Sequence, residues 1–473
     1  MAATDPALTR RERDSFGEFE VPADAYYGAT TMRARLNFPI SDLRLPRPFI
    51  AALGLVKQQA ALTNAELGLL EQRLADAIVA AAGEVVAGRF DDQFVVDVFQ
   101  TGSGTSTNMN ANEVISNRAN ELLGGEKGTR APVHPNDHIN ICQSSNDVFP
   151  TAIHVAAAGL VQEELLPALA VLEDSLRAKS REVWPVVKTG RTHLQDATPI
   201  RLGQELLGHA GQVERARHRA TAALGELCEL ALGGTAVGTG VNAHPEFAGR
   251  TIARLAELTG VAFLESDNHF QAQGSLDNVV ASSGALRAIA VSLYKVASDI
   301  RLLGCGPRAG IAELDIPAVQ PGSSIMPGKV NPVIAESLTM VTARVVGNDA
   351  TVAFAGAAGS LLELNVMMPV AAYALIESVR ILASGARNLA AQCVDGLRAT
   401  ERGPELVERG LMTCTALAPR LGYDAAAAVA KAAYASGRTV REVARETTDL
   451  TDAELTELLD PETMTAPGLG SAK

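Results

Sequence analysis

The sequence predicts a mainly α protein organised around a bundle of long helices, and three observations point there. Hydrophobic residues make up 47% of the 473-residue chain but aromatics only 4%, so the interior is built from Ala, Leu and Val, which suit closely packed helices. In RLGQELLGHAGQVERARHRATAALGELCEL, residues 201–230, Leu206, Val213, Ala220 and Leu227 recur every seven positions, with Ala210 and Leu224 filling the row between them. That spacing is a bundle-facing stripe. In VVASSGALRAIAVSLYKVASDIRLL, the residues Val279, Ser283, Leu286, Ala290, Leu293, Ala297 and Ile300 alternate steps of four and three, and the small members of the row let a neighbouring helix approach closely.

Taken in order, the chain opens with MAATDPALTRRERDSFGEFE, which lacks the apolar core of a signal peptide. Short strand-like pieces such as FEVPADAYYGA follow, mixed with helices. Helical character runs from residue 150 to 183, where Pro167 predicts a kink or break because it has no N–H to donate. It returns in the two striped runs and in residues 333–348 and 370–391. Only APGLGSAK at the end reads as loose. A chain this long exceeds one hydrophobic core, and three regions are expected: a mixed, mostly helical region 1–143, a central long-helix bundle 144–400, and a small helical region 401–473.

The formal charge of −13 argues against a general nucleic-acid or anionic-membrane surface, which needs a basic field. An acidic small molecule could still be held by a few local cations and oriented donors. Cys142, Cys228, Cys305, Cys393 and Cys414 are widely spread with no CxxC pair, a pattern of reduced thiols that offers no iron–sulfur or zinc framework. No segment reaches roughly 18 uninterrupted apolar residues, so the expectation is a cytoplasmic protein without a membrane span.

Chemistry concentrates in four polar segments between helices. TGSGTSTNMNANE, residues 101–113, combines glycines for tight turns with the neutral donors Ser103, Thr105, Ser106, Thr107 and Asn108. It could hold a carboxylate, or simply cap a helix starting near Asn112. HPNDHINICQSSNDVFPT, residues 134–151, places Ser144, Ser145, Asn146 and Asp147 before a long helix, where N–H groups favour an anion but where capping alone also explains these residues. GRTHLQDATP, residues 190–199, carries Arg191, Thr192 and His193 between two helices; a lone His in such a loop is more often structural. PGSSIMPGKVNP, residues 321–332, cannot continue a helix and exposes Ser323, Ser324, Lys329 and Asn331, with Glu336 just beyond. It reads as a mobile active-site loop or a plain connector.

Together these segments resemble one family in order and spacing. The GSSxMxxKxN signature of the fumarase/aspartase superfamily stands here as Gly322, Ser323, Ser324, Met326, Lys329 and Asn331. The chain is most similar to the class II fumarate hydratase (fumarase C) family, through RRERDSFGEFEVPADAYYGA, TGSGTSTNMNANEVISNRA, QSSNDVFPTAIHVAA, GRTHLQDATPIRLGQE and GGTAVGTGVNAHPEF.

The resemblance implies a three-domain fumarase/aspartase-like fold, and a homotetramer whose central helices form one bundle, with each active site shared among three subunits. It implies reversible hydration of fumarate to L-malate through an aci-carboxylate intermediate, as in the tricarboxylic acid cycle, with no metal or organic cofactor. In that scheme Ser323 is the base, and His193 acts through a bound water with its charge supported by Glu336. Lys329 and Asn331 bind one carboxylate, and Ser103, Thr105, Ser144, Ser145, Asn146, Thr192 and Ser324 complete the substrate pocket. A second anion site falls on His134, Pro135, Asn136 and Asp137. There the family often has an arginine three residues before the histidine, and this chain has Ala131, with Arg130 the nearest cation.

Two alternatives stay open. Aspartate ammonia-lyase shares the fold and the serine loop, but usually has Gln at the position of His193, DAVP for the DATP here and QSTND for QSSND. A non-catalytic protein on the same scaffold would be favoured by loss of the serine, lysine or histidine, and none of these is missing.

Overall fold

The computed structural model describes residues 9–468. It is mainly helical, and its longest helices are Ser145–Leu160 continuing to Glu182, Leu202–Glu226, Asp277–Leu303, Val333–Gly359 and Met368–Gln392. The strands form small two-stranded sheets, among them the N-terminal hairpin Thr9–Asp14 with Gly17–Pro22. Packing divides the chain into two units: one comprises residues up to Pro167, His218–Ala290 and Ala343–Ala383, the other Ala168–Arg217, Val291–Thr342 and Ser384 onward. The three-region division at residues 143 and 400 follows chain order rather than packing, and we retain it as a proposal.

The helical stripes bury as their spacing requires. All seven residues of the Val279–Ile300 row are buried. In the helix Leu202–Glu226 and the turn after it, Leu206, Val213, Ala220 and Leu227 are buried, as is Ala210 in the row between them, but that row continues through Ala216 and Ala223, and Leu224 is only half-buried. Positions three and four residues apart flank the same face of a helix, and the side of the stripe they take depends on the neighbour. Pro167 does not break its helix. A π-turn, Val161–Leu165, precedes it, and this wider turn accommodates a ring that removes one N–H and crowds the carbonyl four residues back.

Two expectations about elements are corrected. The helix expected near Asn112 starts at Thr105 and runs to Leu122, so the polar run TSTNMN forms its first turns and is mostly buried rather than looped. Residues 190–199 are not a plain connection between helices: Val187–Thr192 and Gln195–Arg201 pair as an antiparallel hairpin with an irregularity between Thr189 and Arg191. Gly190 fits there because a Cβ would lie 2.6 Å from the Thr198 carbonyl oxygen.

In the first unit, the helix Arg47–Glu66 packs on Gln72–Val86, Ser145–Leu160 and Phe247–Thr259, with the rings of Phe49 and Phe149 centred 4.7 Å apart. Gly104, at φ +74, precedes the helix at Thr105, and a Cβ on it would enter the Phe149 ring. In the second unit, the C-terminal helices bury Leu417, Val429, Val440, Ala444 and Leu455 together. Capping boxes at Thr439–Glu442 and Thr451–Glu454 start two of them.

Two helices, Ser145–Glu182 and Asp277–Leu303, are long and apolar enough over 18 residues to cross a membrane by length and composition, and 56% and 44% of those windows is buried within the chain. The apolar surface they leave outward includes Val171 on the first and Val291 and Tyr294 on the second.

Two stability predictions follow from this packing. Leu293→Ala should cost about 2–5 kcal/mol in denaturant or thermal unfolding, whereas the exposed Tyr434→Ala should change stability by less than about 0.5 kcal/mol. Gly104→Ala should lose about 2–4 kcal/mol through left-handed strain and overpacking against Phe149; unchanged melting would contradict the packing described.

Candidate active site

The predicted site residues fall into two groups, one in each packing unit. In the first unit, the N-termini of the helices Thr105–Leu122 and Ser145–Leu160 are joined by a run of hydroxyls. Ser103 Oγ and Thr105 Oγ1 lie 2.8 Å apart, Thr105 Oγ1 and Ser145 Oγ 2.7 Å apart. Ser144 is the N-cap and accepts from the Asn146 amide at 3.2 Å, while the Asn146 side chain donates to the Ala236 carbonyl at 2.8 Å. First-turn N–H groups have no helical acceptor and carry the positive end of the helix dipole. Two such ends lined with hydroxyls form a neutral cradle for an anion.

Asp147 fixes this cradle. Fully buried, it accepts from the Ser144 amide at 2.9 Å and from the Gly233 and Thr235 amides at 3.0 Å each. Burial raises its pKa, opposed by those three N–H groups and by Lys57. In the sequence, Asp147 fits either a helix cap or part of an anion-binding end; the structure makes it a cap that also grips Gly233 and Thr235, 86 and 88 positions away, which no local pattern marks.

The HPND turn is also in this unit. His134 Nδ1 accepts from the amides of Asn136 at 3.3 Å and Asp137 at 3.1 Å, and lies 3.2 Å from the Asp137 carboxylate. Accepting at Nδ1 requires that nitrogen to be unprotonated, and burial lowers the pKa of the ring. The turn is folded onto itself, with Ala131 supplying no cation.

In the second unit, the hairpin holds Thr192 and His193 at its exposed tip. Thr192 pairs with Gln195, so His193 and Leu194 form a two-residue turn, and both have positive φ, 56 and 60. Such a turn normally takes Asn-Gly. Two side chains in the left-handed region are strained, and strain of this kind gathers at functional sites. A partly buried charge quartet anchors the first strand of the hairpin: Arg191 grips Glu313 with two bonds of 2.9 and 2.8 Å, and Lys188 lies 3.0 Å from Glu313 and 3.1 Å from Glu205. Glu313 and Lys188 are nearly inaccessible to solvent, and no local pattern in the sequence marked either.

The loop 321–332 is closed by its own backbone. The Gly322 amide donates to the Lys329 carbonyl at 2.8 Å, and Asn331 Nδ2 donates to the Gly322 carbonyl at 2.6 Å. Gly322 permits this approach, since a Cβ would meet the Lys329 carbonyl oxygen at 2.5 Å. Within the loop, Ser323 Oγ accepts from the amides of Ile325 at 3.2 Å and Met326 at 2.9 Å. N–H groups aimed at a hydroxyl oxygen favour its alkoxide. Ser324 and Lys329 are exposed, and a cavity of about 720 Å³ behind the loop is lined by Lys329, Asn331, Asp315, Arg398 and Arg402. Glu336, in the first turn of Val333–Gly359, lies 3.9 Å from Arg301.

The chain therefore brings together Ser103, Thr105, Ser144, Ser145 and Asn146, and separately orders the serine loop. Among the described residues, no hydrogen bond or ion pair within the chain joins His193 to Glu336 or to the serine loop. Nor do three or more His, Cys, Asp or Glu side chains gather, among those residues, as a metal site.

Comparison with known proteins identifies the family. Residues 17–347 match the Lyase family and residues 414–466 the Fumarase C C-terminus family. A class II fumarate hydratase of Methylorubrum extorquens is 55% identical over 460 residues, 97% of each chain, and one from Bradyrhizobium diazoefficiens is 53% identical over 461 residues, again 97% of each. Among solved structures, a class II fumarase from Schistosoma mansoni superposes with a TM-score of 0.94 at 39% identity, covering 97% of this chain and 99% of that one. This chain belongs to the class II fumarate hydratase family.

Proposed function

We propose that this chain catalyses the reversible hydration of fumarate to L-malate, with Ser323 as the base of the carbon-acid step. The observation that carries the assignment of the base is the pair of backbone amides, Ile325 and Met326, directed at Ser323 Oγ. In the dehydration direction the proton beside a carboxylate is weakly acidic, and its removal leaves a dianionic aci-carboxylate. Stabilising that charge is the largest part of the task. Lys329 and Asn331, held next to Ser323 by the closed loop, bind the carboxylate that gains charge, and the ammonium of Lys329 also favours the serine alkoxide. The hydroxyl cradle of Ser103, Thr105, Ser144, Ser145 and Asn146 receives the dicarboxylate, with Thr192 and Ser324 completing its surroundings.

His193, placed at the tip of a strained turn, protonates the departing hydroxyl through a bound water, and Glu336 of another subunit supports its charged form. This requires assembly. We therefore assign a homotetramer with each site drawn from three subunits, supported by exposed apolar side chains on the bundle helices, Val291, Tyr294, Met340 and Phe354. The His134–Asp137 turn takes no step in this scheme. Five unpaired cysteines support a reducing, cytoplasmic location.

The test is a pair of absorbance assays for fumarate. Chelator-treated protein should form fumarate from L-malate and none from L-aspartate; rapid deamination of aspartate would instead identify an ammonia-lyase. Ser323→Ala and His193→Asn should each lower kcat by about 10² to 10⁴, with a folded, assembled protein by light scattering. Full activity in Ser323→Ala would remove the serine from the mechanism.

A further inference from the structure

Behind the carboxylate cradle lies a buried ammonium that the scheme above does not use. Lys57, on the helix Arg47–Glu66, has no solvent exposure. Its Nζ donates to Asn140 Oδ1 and Gln143 Oε1, each at 3.0 Å. Asn140 Oδ1 also accepts from Asn108 at 3.3 Å and Asn112 at 3.2 Å, both on the helix that begins at Thr105, and Asn140 Nδ2 holds the Gln143 carbonyl at 2.9 Å. Gln143 directly precedes Ser144. One ammonium thus ties together the two segments whose ends form the cradle.

The charged group that acts on Lys57 is Asp147, itself fully buried and committed to the amides of Ser144, Gly233 and Thr235. Among the titratable and charged groups on the other helices packed against Arg47–Glu66, Glu84 is engaged with Arg118, Glu113 with the amides of Gly28 and Thr31, Arg254 with Glu66, Asp76 with Gln72, Arg250 with Glu246, and the His154 ring with the Glu229 carbonyl. Burial brings the Lys57 pKa down to about 7, against the opposing pull of Asp147. A further negative charge nearby favours the protonated form of such a group.

We propose that Lys57 is a positioning residue for the substrate carboxylate, locking residues 140–143 beneath Ser144–Asn146 and supplying a positive charge behind the cradle, so that substrate binding is linked to a proton. The inference rests on reading this cradle as the carboxylate site. Its sign is fixed. The charged ammonium strengthens anion binding, so affinity is greatest below neutral pH and weakens as Lys57 loses its proton, and binding near or above neutrality takes a proton up.

The experiment is the pH profile of malate kinetics for the assembled wild-type enzyme and Lys57→Met, between about pH 6 and 9. The wild-type KM should rise severalfold across neutrality. In Lys57→Met, KM at pH 6 should be about tenfold higher and flat over the same range, with kcat changed by less than about threefold. Equal KM profiles in the two proteins, or a fall in kcat alone, would overturn the assignment.

Should Lys57→Met fail to assemble, calorimetric titration of His193→Asn with fumarate, in buffers of different ionisation enthalpy at about pH 8, counts the protons taken up without the imidazole at the reacting centre. Uptake approaching one proton supports the assignment, and no uptake contradicts it. A wild-type protein inert toward malate at every pH would instead overturn the proposed function, whereas an active one with a pH-independent KM overturns only the role of Lys57.

Discussion

A carboxylate dianion has to be held by a protein whose own formal charge is −13, and the arrangement of this chain answers that constraint with oriented dipoles more than with surface cations. Two helices start at Thr105 and Ser145, and the hydroxyls of Ser103, Thr105 and Ser145 join their N-termini, where the Thr107 and Asn146 amides are capped by Gln100 and Ser144. A favourable helix N-terminus contributes about 0.3–1 kcal/mol to a nearby anion in exposed settings and up to about 2 kcal/mol when partly buried. In the proposed site, two such ends with joined hydroxyls supply several of these contributions to the bound carboxylate. In the proposed mechanism the field of Lys329 acts on the carboxylate where charge grows.

Ionic groups with little solvent access also sit beneath both polar clusters. Lys188, Arg191, Glu205 and Glu313 form a balanced quartet under the hairpin, and Lys57 and Asp147 form a balanced pair under the cradle. Such groups cost desolvation energy and add little net stability. Their use is directional, because each clamps backbone that would otherwise be free to rearrange: the quartet grips the strand that ends in the strained His193–Leu194 turn, and Asp147 holds the amides around Ser144. Arg191 was visible beside His193 in the sequence, but its partner Glu313 is 122 positions away.

Legibility in the sequence followed the range of the interactions. The long helices were readable because their burial repeats every three or four residues, and the Val279–Ile300 row matched position by position. The serine loop and the Ser144–Asn146 cluster were readable because Gly, Pro, Ser and Asn punctuate helices locally. The hairpin at residues 187–201 was missed, since its turn is His-Leu rather than Asn-Gly and carries no local signal. The helix start at Thr105 was placed seven residues late, because Ser, Thr and Asn usually mark caps and only the burial of the first turns keeps them helical here. Lys57 and Glu313 were invisible, as nothing local distinguishes a buried charge from a surface one.

The most direct measurement is a crystal structure of the assembled protein with a bound four-carbon dicarboxylate. One carboxylate should replace the mutual contacts of Ser103, Thr105 and Ser145 with bonds of about 2.7–3.2 Å to those groups and to Asn146, with Ser323 and Lys329 reaching the same ligand. A ligand seated only at the His134 turn, with the hydroxyl run from Ser103 to Ser145 still closed on itself, would contradict the account.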